Sequence, residues 1–418
     1  MAKLRNAVTK IWNDDSLSDF TNPFSSLLYT SSLIYGSIVR VRNIFYDRGI
    51  LGTKKLPCPV VSIGNITVGG TGKTPMTIKM AGLLRNAGFR PAVLSRGYAG
   101  TDEGILTVVS DGNNIKKSPA ESGDEPFLIA VSSPGTAVLT GPDRFAAGMH
   151  AIEDLGANVI ILDDAFQHRK LHRDINVLLL DAQRPFGNNH LLPRGPLREQ
   201  EAGVKRADMI VFTRADEKGN KTRQEKELER SLPRIPFFRA THKPKGIIPL
   251  SLINPGTAAS LSEKTPDRPA ARDPNVVLGL SKDDISALRP FDRLRAGEAQ
   301  GDRSDILPPE AIRGRKVCAF AGIARPDSFR RTLESLGAEV VAFRHFPDHC
   351  EFTAGDLEEV RRKSEDGGAE MILTTEKDGA RLIGRNLPDM NLCMLRIEMD
   401  IFPERKKFED AVLARLKP

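Results

Sequence analysis

The sequence is poor in the features that mark several functional classes. Its four cysteines, Cys58, Cys318, Cys350 and Cys393, are scattered with no C-x-x-C spacing. That excludes a disulfide framework and a thiolate metal site, and fits a reducing compartment. No apolar run approaches the roughly 18 residues of a spanning helix, and the first residues lack the apolar core of a signal peptide. No Lys/Arg-rich block with interleaved aromatics is present, so nucleic acid is not an expected partner despite a net charge of +7. His or Cys clusters of the metal-delivery kind are missing, and no internal repeat is evident.

What remains is an ordinary globular composition over 418 residues, enough for two domains, with a basic balance that suits an anionic ligand or surface. The most informative stretch is residues 60–75. The apolar run Val60–Ile63 enters a turn containing Gly69, Gly70 and Gly72, which ends in Lys73-Thr74 and is followed by a helical pattern. Strand, Gly-rich turn and helix are the context of a phosphate-binding loop. The glycines let backbone N–H groups turn inward as an anion nest. Lys73 is expected on the β- and γ-phosphates of a nucleotide and the Thr74 hydroxyl on Mg²⁺; Thr67, Val68 and Thr71 complete the loop. Thr67 stands where the common pattern has its first glycine.

A second apolar strand, Val159–Leu162, ends in Asp163-Asp164. A buried parallel strand delivering a carboxylate at its C-terminal end is the expected complement of a phosphate loop, placing Asp163 and Asp164 as candidates to organise Mg²⁺. Gln167, His168, Arg169 and Arg173 follow closely, and the Gly/Pro-rich basic loop 184–199 carries Arg194. Asp124 and Glu125 open a helical pattern before Pro126, where acidic residues also suit a helix start for electrostatic reasons alone. Residues 23–48 pair a near-3.6 apolar period with a basic flank, readable as a membrane-interface helix or as a helix packed on the core. Residues 255–308, rich in Ala, Asp, Arg, Pro and Ser, read as a low-complexity insert with no chemistry assigned.

Strand and helix alternate along most of the chain. The expected fold is α/β: a P-loop NTPase-like parallel sheet with helices on both faces, plus a second, smaller α/β domain joined by a short hinge. The expected boundaries are 1–235 for the first domain and 236–392 for the second, with 393–418 forming a hinge strand and a helix that returns to the first.

Several motifs resemble the tetraacyldisaccharide 4'-kinase family. They are Asn65–Pro75, Ser95-Arg96-Gly97-Tyr98, Gly123-Asp124-Glu125-Pro126, Asp163–Arg169, Leu192–Glu199, Ala321–Pro326, Phe346-Pro347-Asp348-His349 and Thr374-Thr375-Glu376-Lys377-Asp378. Thr67 is the family's own form. The resemblance implies a bacterial enzyme of lipid A biosynthesis, peripheral on the cytoplasmic face of the inner membrane through its N-terminal helix. It would transfer the γ-phosphate of ATP, with Mg²⁺, to the 4'-hydroxyl of an acylated glucosamine disaccharide 1-phosphate. It further implies Asp124 as the base, with His349 from the second domain as its partner, and Glu125, Asp163 and Asp164 around the metal. Arg96, Arg144, Gln167, His168 and Arg194 would contact the disaccharide or its phosphate. No obligate protein partner is evident. The competing reading is a nucleotide-driven switch, whose signature-lysine form carries Lys where this chain has Val68.

Overall fold

The computed structural model describes residues 11–12, 23–97, 100–102, 104–215, 220–250, 306–348, 350–385, 387–388 and 390–416. Nearly all of the 255–308 segment, and His349, lie outside the described residues. The chain forms two compact units. The first comprises 1–116, 135–243 and 398–418; the second comprises 117–134 and 244–397.

The first unit opens with the helix Pro23–Asp47. Then come β1 (Val60–Asn65), the helix Lys73–Asn86, β2 (Pro91–Ser95) and β3 (Thr107–Asp111). After an excursion into the second unit it resumes with β4 (Ala137–Thr140), the helix Arg144–Glu153, β5 (Val159–Asp163), β6 (Ile175–Asp181) and β7 (Met209–Thr213). The helix Arg223–Ser231 and β8 (Phe237–Pro249) follow, β8 running on into the second unit. Within this unit the strand order is β8-β7-β6-β1-β5-β2-β4-β3. All pairings are parallel except β3 on β4. Every residue of β1, β2, β5, β6 and β7 is buried, as strands covered on both faces must be, which is why they read as unbroken apolar runs rather than alternating ones. Because β1, β5, β6 and β7 run the same way, their last residues, Asn65, Asp163, Asp181 and Thr213, share one sheet edge.

The second unit carries the order β10-β9-β11-β12, all parallel. Its strands are β9 (Lys316–Ala321), β10 (Glu339–His345), β11 (Met371–Thr375) and β12 (Leu392–Phe402). The helices Pro326–Ser335 and Ala354–Asp366 pack on these strands, and the Thr353 hydroxyl caps the latter by accepting from Asp356 N–H.

The unit boundaries depart from those expected from sequence. Residues 117–134 belong with the second unit, not the first. The cause is packing: the helices Pro119–Ser122 and Asp124–Ser132 lie against the helix Glu376–Leu382, and two ion pairs join them, Asp124 to Arg381 and Glu125 to Lys377. The boundary expected at 235 falls at 243, inside β8, and the one expected at 392 falls at 397, inside β12.

The helix Pro23–Asp47 inverts the usual amphipathic arrangement. Its buried positions are the small or slim Ser25, Ser32, Gly36 and Val39. Gly36 sits so close to Leu191 that an added Cβ would meet it at 2.6 Å, and the Tyr35 hydroxyl donates to the Arg198 carbonyl at 2.7 Å. The large apolar residues Leu27, Ile34, Ile38 and Val41 face outward, Leu27 and Ile38 being 63% and 64% exposed. No helix among the described residues is long and apolar enough to cross a membrane.

Candidate active site

The Gly-rich turn leaves β1 at Asn65 and is held from below. Asn65 Nδ2 donates to Thr71 Oγ1 at 2.7 Å. The Gln167 amide nitrogen donates to the Asn65 carbonyl and to the fully buried Glu199, both at 2.8 Å. Val68 N–H donates to the Pro196 carbonyl at 2.7 Å and Arg198 N–H to the Ile66 carbonyl at 2.7 Å, so the start of the turn is paired with residues 196–198. Thr67 is buried and is not among the residues with positive φ. Its backbone therefore needs no glycine, and the departure from the common loop pattern carries no strain.

Gly72 does need to be glycine. Its φ is 84°, and an added Cβ would lie 2.6 Å from Met399 and 2.7 Å from Nε2 of His242. At Gly69 and Gly70 the same test finds open space within 4 Å. The helix Lys73–Asn86 starts here with no side-chain cap and no acidic residue in its first turn. A helix start without side-chain caps leaves N–H groups and the positive dipole end for an anion.

The two adjacent acids divide their work. Asp163 is buried and accepts from the hydroxyls of Thr77 at 2.9 Å and Ser95 at 3.4 Å, tying β5 to the loop helix and to β2. Asp164 adopts the left-handed conformation, φ 48°, which turns its side chain out of the strand repeat. It accepts from Arg198 Nη1 at 2.7 and 2.9 Å and lies 3.8 Å from Lys73 Nζ. Burial alone would raise its carboxyl, but Lys73 and then Arg198 hold it below the usual carboxylate range, hence ionised. The Asp164 carboxylate and the Thr74 hydroxyl are oxygen donors of the kind Mg²⁺ takes, few in number and supplemented by phosphate or water. Among the described residues no group of three or more His, Cys, Asp and Glu is arranged to hold a metal by itself.

Near the acids lies a cluster of cations. Arg144, first residue of its helix, is buried; one Nη donates to the Gly141 carbonyl, while Nε has no hydrogen-bond partner. Burial lowers its guanidinium to about 10. Burial, then Arg144, Arg173 and Arg96, push His168 down to about 4, so its imidazole is neutral among three cations. Arg144 also feels Asp163 and Asp164, while Arg96 is exposed; guanidinium donors of this kind suit a phosphate.

Two expected contacts have structural tasks here. The amide nitrogen of Gln167 spends both its protons on Asn65 and Glu199, as described, so it holds the loop. Arg194 is buried, its Nη1 donating to the Ile11 carbonyl at 3.4 Å beside the Trp12-to-Pro193 bond of 2.9 Å. It anchors the 184–199 loop to residues 11–12.

His242, on β8, is half-buried with its Nε2 enclosed and without a hydrogen-bond partner, and is pushed down to about 4, chiefly by burial and next by Arg214. Both histidines are charged more readily in the unfolded chain, at about 6.5. Their neutral burial therefore contributes stability that is present above that value and lost as pH falls towards 4. Glu376 runs oppositely, being raised by burial to about 7. Comparison of variants isolates the histidine effect: the denaturant midpoint of the wild type is expected to fall between pH 7 and pH 5 by more than that of His242→Gln. An equal fall would show that His242 is not buried neutral.

Asp124 and Glu125 belong to the second unit. Asp124 follows Gly123, whose φ of 87° and ψ of 156° are open to glycine alone. Asp124 accepts from Arg381 Nε at 2.6 Å, and Glu125 from Lys377 Nζ at 3.0 Å. Around the Gly-rich turn, Arg198 and Glu199 are not singled out from sequence, though they lie in the basic loop that is; Arg381, beside Asp124 in the second unit, carries no spacing signal.

Comparison with known proteins follows this geometry. The sequence model of the LpxK family, tetraacyldisaccharide-1-P 4'-kinase, matches residues 24–417. A tetraacyldisaccharide 4'-kinase of Syntrophus aciditrophicus is 42% identical over 99% of each chain. One of Pelobacter propionicus is 39% identical, over 86% of this chain and 83% of its own. The crystal structure of LpxK from Aquifex aeolicus, described as the "apo" form in complex with ATP, is 30% identical, superposes with a TM-score of 0.67 and covers 94% of this chain and 99% of that one.

Proposed function

The chain belongs to the tetraacyldisaccharide-1-P 4'-kinase family, and from that premise we propose that it transfers the γ-phosphate of ATP to the 4'-hydroxyl of a tetraacylated glucosamine disaccharide 1-phosphate. The observation that carries the reading is the uncapped helix start at Lys73, with the Lys73 ammonium 3.8 Å from the ionised Asp164 at the C-terminal edge of a parallel sheet.

Phosphoryl transfer is mainly positioning and charge stabilisation. Backbone N–H groups of the Gly-rich turn other than those of Val68 and Thr71, which are spent on the Pro196 and Gly69 carbonyls, and the Lys73 ammonium would hold the triphosphate. Thr74 and Asp164 would hold Mg²⁺, which when bound supplies charge neutralisation at the phosphate oxygens; Asp163 keeps its neighbour in place. Glu125 is proposed with the metal-organising acids on the family resemblance. The acceptor oxygen bonds to the γ-phosphorus, the bond to the β–γ bridging oxygen breaks, and ADP leaves. Asp124 takes the proton of the attacking hydroxyl, with His349 as its proposed partner. The cluster of Arg96, Arg144 and neutral His168 would receive the phosphate of the disaccharide.

We place the enzyme peripherally on the cytoplasmic face of the inner membrane, with Leu27, Ile34, Ile38 and Val41 in the lipid interface. The support is the outward apolar face, which a water-facing helix has no reason to keep. Ile34→Glu/Ile38→Glu is expected to reduce binding to anionic phospholipid vesicles at least tenfold with an unchanged melting temperature, since neither side chain is packed. Undiminished vesicle binding would remove the helix from the interface.

Transfer of labelled γ-phosphate from ATP to the disaccharide lipid in detergent micelles tests the function. Lipid-independent hydrolysis with no labelled lipid would favour the nucleotide switch.

A further inference from the structure

The stretch Thr374–Asp378 has no part in the transfer described above, yet a buried polar network is built on it. Thr375 closes β11 and caps the helix Glu376–Leu382, its hydroxyl accepting from Asp378 N–H at 3.1 Å. The Asp378 side chain has no exposed surface. It accepts from the Thr375 hydroxyl at 2.6 Å, from Gly322 N–H at 3.0 Å and from Arg381 Nη1 at 2.8 Å. Arg381, buried beside it, also donates from Nη1 to the Gly322 carbonyl at 3.2 Å, and from Nε to Asp124 Oδ2 at 2.6 Å.

We propose that Arg381 is the positioning residue of Asp124, and that the buried Asp378 sets the plane of its guanidinium so that the Nε edge meets that carboxylate. The proposal rests on the reading of Asp124 as the base. Neutralising Asp378 requires only Nη1, so the bond from Nε to Asp124 is additional to any architectural need. A lysine could match either acid, but only a planar fork reaches two carboxylates and a carbonyl from fixed directions. Gly123, which precedes Asp124 at the helix start, itself adopts a conformation closed to other residues.

One consequence follows for proton transfer. A fixed carboxylate plane keeps the acceptor oxygen aimed, and a misplacement of about 1 Å can cost about 100-fold in rate.

The test uses the full-length enzyme with Arg381→Gln, Arg381→Lys, Asp124→Asn and Asp124→Asn/Arg381→Gln. Turnover and the KM values for ATP and lipid are measured, with melting temperatures alongside. Arg381→Gln is expected to lower turnover by about 10- to 100-fold, with both KM values within about threefold. Arg381→Lys should recover part of the loss, because it restores charge without the fork. In the Asp124→Asn background, Arg381→Gln should change the residual rate less than twofold, since Arg381 acts through that carboxylate. Should Arg381→Gln fail to fold with Asp378 uncompensated, Asp378→Asn/Arg381→Gln, which removes both charges, carries the same comparison. Near-wild-type turnover of the folded Arg381 variants would overturn the proposal while leaving the base reading intact. So would an equal loss with and without Asp124, which marks a merely architectural ion pair. Near-wild-type turnover of Asp124→Asn would instead remove the base reading itself, and the proposal with it.

Discussion

Asp124→Asn is expected to lower turnover by about 10³-fold while leaving ATP affinity within a few-fold of wild type. General-base contributions span about 10²- to 10⁴-fold, and this substitution removes the proposed proton acceptor with almost no change of volume. The amide keeps an oxygen for Arg381, whose other bonds, to Asp378 and the Gly322 carbonyl, are untouched. The loss should therefore appear in the chemical step. Single-turnover transfer with saturating ATP and lipid reads that step directly. A rate within tenfold of wild type would show that the hydroxyl proton leaves by another route.

Lys73→Ala is expected to lower kcat/KM for ATP by about 10³-fold, at the upper end of what one charge-stabilising group contributes. Its cause differs from that of Asp124→Asn, because Lys73 is proposed to meet the nucleotide itself, so both binding and turnover should suffer. The fold should survive, since Asp164 retains both bonds from Arg198 when the ammonium is gone. Lys73→Arg is not a rescue: a guanidinium cannot occupy the compact site of an ammonium beside glycine backbone. An alanine variant that transfers phosphate at a tenth of the wild-type rate or better would end the assignment of Lys73 to the phosphates.

How far these sites were legible depends on how local each one is. The turn at 67–74 declares itself because strand, glycines and Lys-Thr are contiguous, and Asp163-Asp164 because an apolar run leads straight into them. Which of the two acids faces Lys73 was not legible. It is set by a left-handed backbone at Asp164, φ 48°, a conformation that aspartate enters only in a particular tertiary setting. The allegiance of Asp124 was likewise hidden, since its partner Arg381 lies 257 residues away. Gln167 looked like a site residue because it follows the acids, and a sequence cannot show that its amide is spent on Asn65 and Glu199. For the helix Pro23–Asp47 the period was visible, but period alone does not say which face is buried. Gly36 against Leu191 decides that the slim face is.

The return of residues 398–418 to the first unit bears on the order in which the molecule can be made. Phe408, on the last helix, is buried against Phe238 of β8, their rings 5.1 Å apart. On the ribosome, the strands around the Gly-rich turn emerge first, yet this part of their core stays open until the whole of the second unit has been synthesised. Nascent chains generally complete domains from the N-terminus onward. Here the earlier unit must wait for the later one, and Phe238 of a half-made chain offers its uncovered ring to whatever holds it meanwhile.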